Sequence, residues 1–197
     1  MFEIHETSPS DETLDENILF ISSPNIGILF PRPFSDISMG AEMVIAGMKS
    51  EGVTCTYFDA NASIQYNRTY EHKTADLYHE PVYSREKLSE EEFRILMTPD
   101  GLKGLISGEI QSERLHRWAD YAVDSLLETC GEVDNYGAIC LSLDMRLTVD
   151  YPSLISFGFC LFLLNKIREK TIDKNIPSYI GGWKVLQKAV ERGLLKL

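Results

Sequence analysis

Short apolar runs that end in small or polar residues alternate along this chain with longer stretches in which apolar residues recur every three or four positions. The first short run, Asn17-Ile-Leu-Phe-Ile-Ser-Ser23, shows no polar–apolar alternation, which is the pattern of a strand buried on both faces. Residues 53–58 are β-branched and aromatic, and residues 136–143 and 176–180 repeat the apolar pattern, giving four expected strands. Between the first two, residues 39–51 predict a helix with Met39, Met43, Ala46 and Gly47 on the packed face and Gly52 as its stop. Residues 151–170 and 183–193 predict helices after the third and fourth strands, and residues 194–197 the opening of a fifth strand.

The stretch from 61 to 133 breaks this rhythm and reads as a helical insertion. Residues 60–88 are rich in Tyr, Asn, His and Lys without a sustained period, so irregular structure is expected there. Ser89-Glu90-Glu91-Glu92 is a capping box leading into Phe93, Ile95, Leu96 and Met97. Pro99-Asp100-Gly101 reads as a turn. Residues 111–130 carry Leu115, Trp118, Ala122, Leu126 and Cys130 at helical spacing, closed by Gly131. The whole is a doubly wound, flavodoxin-like α/β fold with a mainly parallel sheet of order 2-1-3-4.

That fold places the strand ends where a ligand would sit, because the crevice of an open α/β sheet lies outside the carboxyl ends of its strands, at the switch in strand order. The polar elements there are Pro24-Asn25-Ile26-Gly27, Asp59, Ser142-Leu143-Asp144 and Gly181-Gly182-Trp183. A dinucleotide is disfavoured, since one glycine in Ser22-Ser23-Pro24-Asn25-Ile26-Gly27 does not make the Gly-x-Gly-x-x-Gly loop. Asp59 stands where a ribose-binding acid would, but an acid there is common. No nucleoside-triphosphate loop of the Gly-x-x-x-x-Gly-Lys-Ser/Thr type occurs.

Composition narrows the classes further. A net charge of −11 in 197 residues opposes binding to nucleic acid or to an anionic membrane. Residues 3–16 carry a run of Asp and Glu among Ser, Thr and Pro, so residues 1–16 read as a flexible arm. The N-terminus has no apolar signal segment, and residues 154–164 are too short to span a bilayer, which suggests a cytoplasmic protein. Cys55, Cys130, Cys140 and Cys160 are scattered singly, as expected of buried reduced thiols. His72, His79 and His116 lack metal-ligand spacing, and no nucleophile–base pair stands out. The acceptor patterns at Asn61 and Asn67 carry no weight without a secretion signal.

Two motifs in order, Ser142-Leu143-Asp144 before a long helix and Ile176-Pro-Ser-Tyr-Ile-Gly181-Gly182-Trp183 before another, resemble the cobalamin-binding domain that precedes radical-SAM catalytic domains. Pro24 after the first strand, Met39-Gly40 opening a helix, and Glu51-Gly52-Val53 leading to Tyr57-Phe58-Asp59-Ala60 extend the resemblance, which covers roughly residues 17–60 and 134–193. It implies one cobalamin-binding-like domain over residues 17–197, with the insertion at about 61–133. It also implies a ligand held by Asn25, Gly27, Ser142, Leu143, Asp144, Gly181, Gly182 and Trp183, its nucleotide tail in a slot opened by the two glycines. The corrin ring would rest on loops that include Met145 and Arg146.

The chain departs from that family in two ways. No histidine lies between His5 and His72 to coordinate cobalt, and the Cys-x-x-x-Cys-x-x-Cys of the iron–sulfur cluster is absent. The resemblance therefore implies a binding domain, either a fragment or a separate subunit. It would partner a radical-SAM methyltransferase or peptide-modifying enzyme that does the catalysis elsewhere. The expectation from a different class is a degenerate domain that binds no cofactor and serves docking or substrate recognition. In that case Trp183 or the loop 24–33 fills the crevice.

Overall fold

The computed structural model describes residues 17–24, 39–64, 88–143, 151–172, 175–181 and 183–194. Its strands are β1 (Asn17–Ser22), β2 (Thr54–Asp59), β3 (Ala138–Ser142) and β4 (Ser178–Gly181). Its helices are α1 (Met39–Ser50), α2 (Glu90–Met97), α3 (Pro99–Ser107), α4 (Glu113–Cys130), α5 (Tyr151–Lys170) and α6 (Trp183–Glu191). The four strands form one sheet in the order β2-β1-β3-β4, every pair parallel. This is a doubly wound, flavodoxin-like α/β fold with a helical insertion between β2 and β3.

Register divides the sheet into two unequal faces. In a parallel pair, residues opposite each other point the same way, and successive residues point to opposite faces. Leu19, Ile21, Phe58, Ile139, Leu141 and Leu143 share one face, and all are buried in the main core. Ile18, Phe20, Cys55, Tyr57, Cys140 and Tyr179 share the other. There Ile18 and Phe20 are buried, while Tyr57, Cys55 and Cys140 are half-buried and Tyr179 is 49% exposed. Right-handed crossovers that step in opposite directions from the sheet centre put α1 on the open face and α5 on the core face.

The burial of α5 explains the insertion. Leu154 to Leu164 is buried at every position, so this helix has no solvent-facing stripe in that stretch. One side lies towards the sheet, and α2, α3 and α4 pack on it from the insertion. Contact with α2 is so close that a Cβ on Gly158 would strike the Leu96 carbonyl of that helix. Trp118, Leu115, Ala119, Ala122 and Leu126 of α4 complete the layer.

Three local expectations are corrected. Pro99-Asp100-Gly101 is the first turn of α3 rather than a loop: Thr98 caps it through Oγ1 to the Gly101 N–H at 3.2 Å, and Pro99 occupies the first helical position. The packed side of α1 holds buried Ala41 with half-buried Ile45 and Met48, whereas Met43, Ala46 and Gly47 face out. Residues 60–64 are helical, not irregular. The capping box at Ser89 and Glu92 forms as read, and α4 starts at the Ser112 cap. Residues 195–197, where the opening of a fifth strand is expected, lie outside the described residues; Leu194 donates its N–H to the Ala189 carbonyl at 2.8 Å. The arm 1–16 and the tyrosines at 66, 70, 78 and 83 lie outside the described residues.

Candidate functional site

Strand register brings four ends into one row. Ser22 of β1 sits opposite both Asp59 of β2 and Ser142 of β3, and Ser142 sits opposite Gly181 of β4. All four belong to the open face of the sheet, and the row runs about 14 Å from β2 to β4 at ordinary strand spacing. The order of strands reverses between β1 and β3, so Ser22 and Ser142 flank the topological switch point.

Local chemistry fixes each end. Beyond β1, the Ser23 N–H donates to the Ser142 carbonyl at 2.9 Å, extending the ladder by one residue before Pro24, which has no N–H to continue it. Beyond β3, the Leu143 N–H donates to the Gly181 carbonyl at 3.1 Å, while the Leu143 side chain, 6% exposed, packs into the core. At the end of β2, Asp59 Oδ1 accepts the Ala62 N–H at 2.9 Å and so caps the helical residues that follow. The second oxygen, Oδ2, is buried and has no hydrogen-bond partner.

Gly181 is exposed, and a Cβ built on it would meet only the Leu141 carbonyl, at an ordinary 3.8 Å. Neither packing among the described residues nor a positive φ requires glycine there. Among the described residues, none fills the place a side chain would take there. Of the sequence-predicted ligand residues, Ser142, Leu143 and Gly181 thus meet at the rim, with Leu143 turned inward. Trp183 opens α6, immediately after it. Asn25, Gly27, Asp144, Gly182, Met145 and Arg146 lie outside the described residues, as does most of the loop 24–33. Ser22 is not among the sequence-predicted ligand residues and Asp59 carries little weight there; only the observed pairing of Asn17 with Thr54 brings the two into register.

Two cavities on the insertion are of a different kind. One of about 330 Å³ is lined by Ser89, Glu92, Ile95, Gln111, Ser112 and Arg114, among others. Its centre is Glu92, whose carboxylate accepts the Ser89 N–H at 2.7 Å and the Ser112 hydroxyl at 2.9 Å and lies 3.3 Å from Arg114 Nη1. One buried side chain thereby ties together the N-termini of α2 and α4, so its acceptors are already used for structure. The other, about 590 Å³, runs along α4 past His116, Arg117, Asp120 and Tyr121. His116 is engaged there, with Nδ1 2.9 Å from the Ser112 carbonyl and its ring edge-on to Phe162 at 5.0 Å.

The cysteines are unpaired, and burial raises every thiol: Cys140 to about 11 and Cys160 to about 12. For Cys160 a hydrogen bond with Ser23 pulls the other way without offsetting the burial. Such thiols are poor nucleophiles at neutral pH. Among the described residues no group of three or more His, Cys, Asp or Glu could hold a metal ion, and no helix is long and apolar enough to cross a membrane. Compared with protein-family models, curated proteins and solved structures, the chain has no significant match to any.

Proposed function

We propose that the strand-end rim is a cobalamin-binding site and that the chain serves a radical-SAM-type methyltransferase or peptide-modifying enzyme whose catalytic part lies elsewhere. The observation that carries this reading is the pairing of Ser142 with Gly181 beside the switch point. A hydroxyl and an open backbone position meet there in one row, which suits a nucleotide tail approaching the sheet closely. Gly181 supports it by leaving space that no neighbour among the described residues fills. Ser142 would hydrogen-bond the tail, Leu143 would form the floor with its buried side chain, and Gly181 would admit the nucleotide. Bound cobalamin would supply a cobalt-centred methyl or redox group; the chain's own part is to hold and orient it.

The docking reading draws support from a separate observation. Met43 and Val44 of α1 are 70% and 47% exposed, and Tyr179 on the same sheet face is 49% exposed. Such apolar surface also suits a protein partner. The two readings differ in one test. Purified protein mixed with hydroxocobalamin and passed over gel filtration retains the corrin's visible absorbance if the rim binds it, and emerges colourless if the chain is a docking module.

A further inference from the structure

The geometry points to Asp59 as the residue that orients the rim's ligand, by accepting a hydrogen bond from a neutral donor, either a primary amide or a sugar hydroxyl. The inference rests on the reading of the rim as a ligand site. Its basis is the division of labour within one carboxylate: Oδ1 caps the following helical residues through Ala62, while Oδ2 is buried without a partner. A carboxylate oxygen removed from water without a donor is unfavourable, and such an atom calls for a donor that the described residues do not supply. Asp59 stands in register with Ser22 on the open face, so the residue belongs to the row that continues through Ser142 to Gly181.

The row therefore carries a carboxylate at one end, and at the other a glycine whose side-chain place no described residue fills. A carboxylate at the β2 end repels phosphate and attracts N–H and O–H groups, while the β4 end offers space without a side chain. A ligand laid along it would put its donor-bearing edge towards Asp59 and its anionic or bulky part towards Gly181. Cobalamin offers both donor types, with amides around the corrin and a ribose in its tail, so the two sources must be separated by experiment.

Asp59→Asn keeps an oxygen to cap Ala62 and replaces Oδ2 with a donor, reversing the polarity at one atom. Asp59→Ser keeps a capping oxygen and deletes the position. Calorimetric titration of each protein with hydroxocobalamin and with adenosine, alongside melts of the ligand-free proteins, tests the assignment. Expected are binding of hydroxocobalamin by the wild type, a loss of tenfold or more in both variants, and an unchanged or higher ligand-free melting temperature for Asp59→Asn. Adenosine binding that falls in the same variants assigns the donor to ribose; binding of hydroxocobalamin alone assigns it to the amides. Wild-type binding of adenosine without hydroxocobalamin, lost in the variants, keeps the donor subsite and discards cobalamin. Unchanged hydroxocobalamin affinity in Asp59→Asn overturns the role of Asp59 and leaves the cobalamin reading standing. Binding of neither probe, or a lower ligand-free melting temperature in both variants, overturns the inference.

Discussion

Gly181 carries more of the functional argument than any other single residue, because its lack of a side chain has no use inside the described fold. Gly181→Val should leave the ligand-free protein as stable or stabilise it by roughly 0.5–1 kcal/mol, since a β-branched residue suits an extended strand. A thermal melt checks this, and a fall of several degrees would mean that the glycine serves packing. Cys160 supports a second prediction at this scale. Its thiol is raised by burial from 9.0 to about 12, so the folded state holds a proton that the unfolded state loses first. Its contribution is present below about pH 9 and disappears as pH rises towards 12, with a slope of at most about 1.4 kcal/mol per pH unit. Urea titrations from pH 8 to 10.5 should show stability falling with pH, and Cys160→Ala should flatten that slope. An unchanged slope in the variant would contradict the burial of this thiol.

Among the elements, α5 and the insertion define each other. Gly158→Ala places a methyl group against the Leu96 carbonyl and should cost about 3 kcal/mol, at the upper end of ordinary overpacking. Gly47→Ala on α1, where a Cβ would meet nothing, should gain roughly 0.5–1 kcal/mol from helix propensity. Equal effects in denaturant melts would show that the α2–α5 contact yields easily. Glu92→Ala should cost about 3 kcal/mol by unmaking the capping box and orphaning the Ser112 hydroxyl at once.

These elements also show what was legible in the chain. The strands, the Ser89 capping box and the 20-residue span of α5 could be read because each follows from local periodicity or capping chemistry. Pro99-Asp100-Gly101 reads as a turn in the sequence because proline opens a helix as readily as it opens a turn. The packed side of α1 was misjudged because a helix with apolar residues on several sides gives no unique face, and only the sheet decides. Gly158 was illegible, since its need for glycine comes from a carbonyl that folding brings to it.

For the molecule as a whole, the sheet has one thick side and one thin side. The core face is covered by α5 and by α4, which reaches β2, while α2 and α3 pack on α5. Across the other face, half-buried Tyr57 and Cys140 and exposed Tyr179 lead up to the row from Asp59 to Gly181. Parallel register made this row readable in outline: four strands of known order end on one rim, and the polar ends could be named in advance. Which of those ends share a face was beyond reach, because a shift of one residue turns every side chain over. That is why the inward turn of Leu143 and the place of Ser22 in the open-face row are not legible in the sequence. The central claim is that this rim binds cobalamin through the opening at Gly181. Its most direct test is the melting temperature of wild-type protein and Gly181→Val, each with and without excess hydroxocobalamin, because a ligand that binds only the folded state raises it. The account predicts a clear rise for the wild type and none for Gly181→Val, whose ligand-free melt is not lowered; no rise for the wild type, or an equal rise in both proteins, would contradict it.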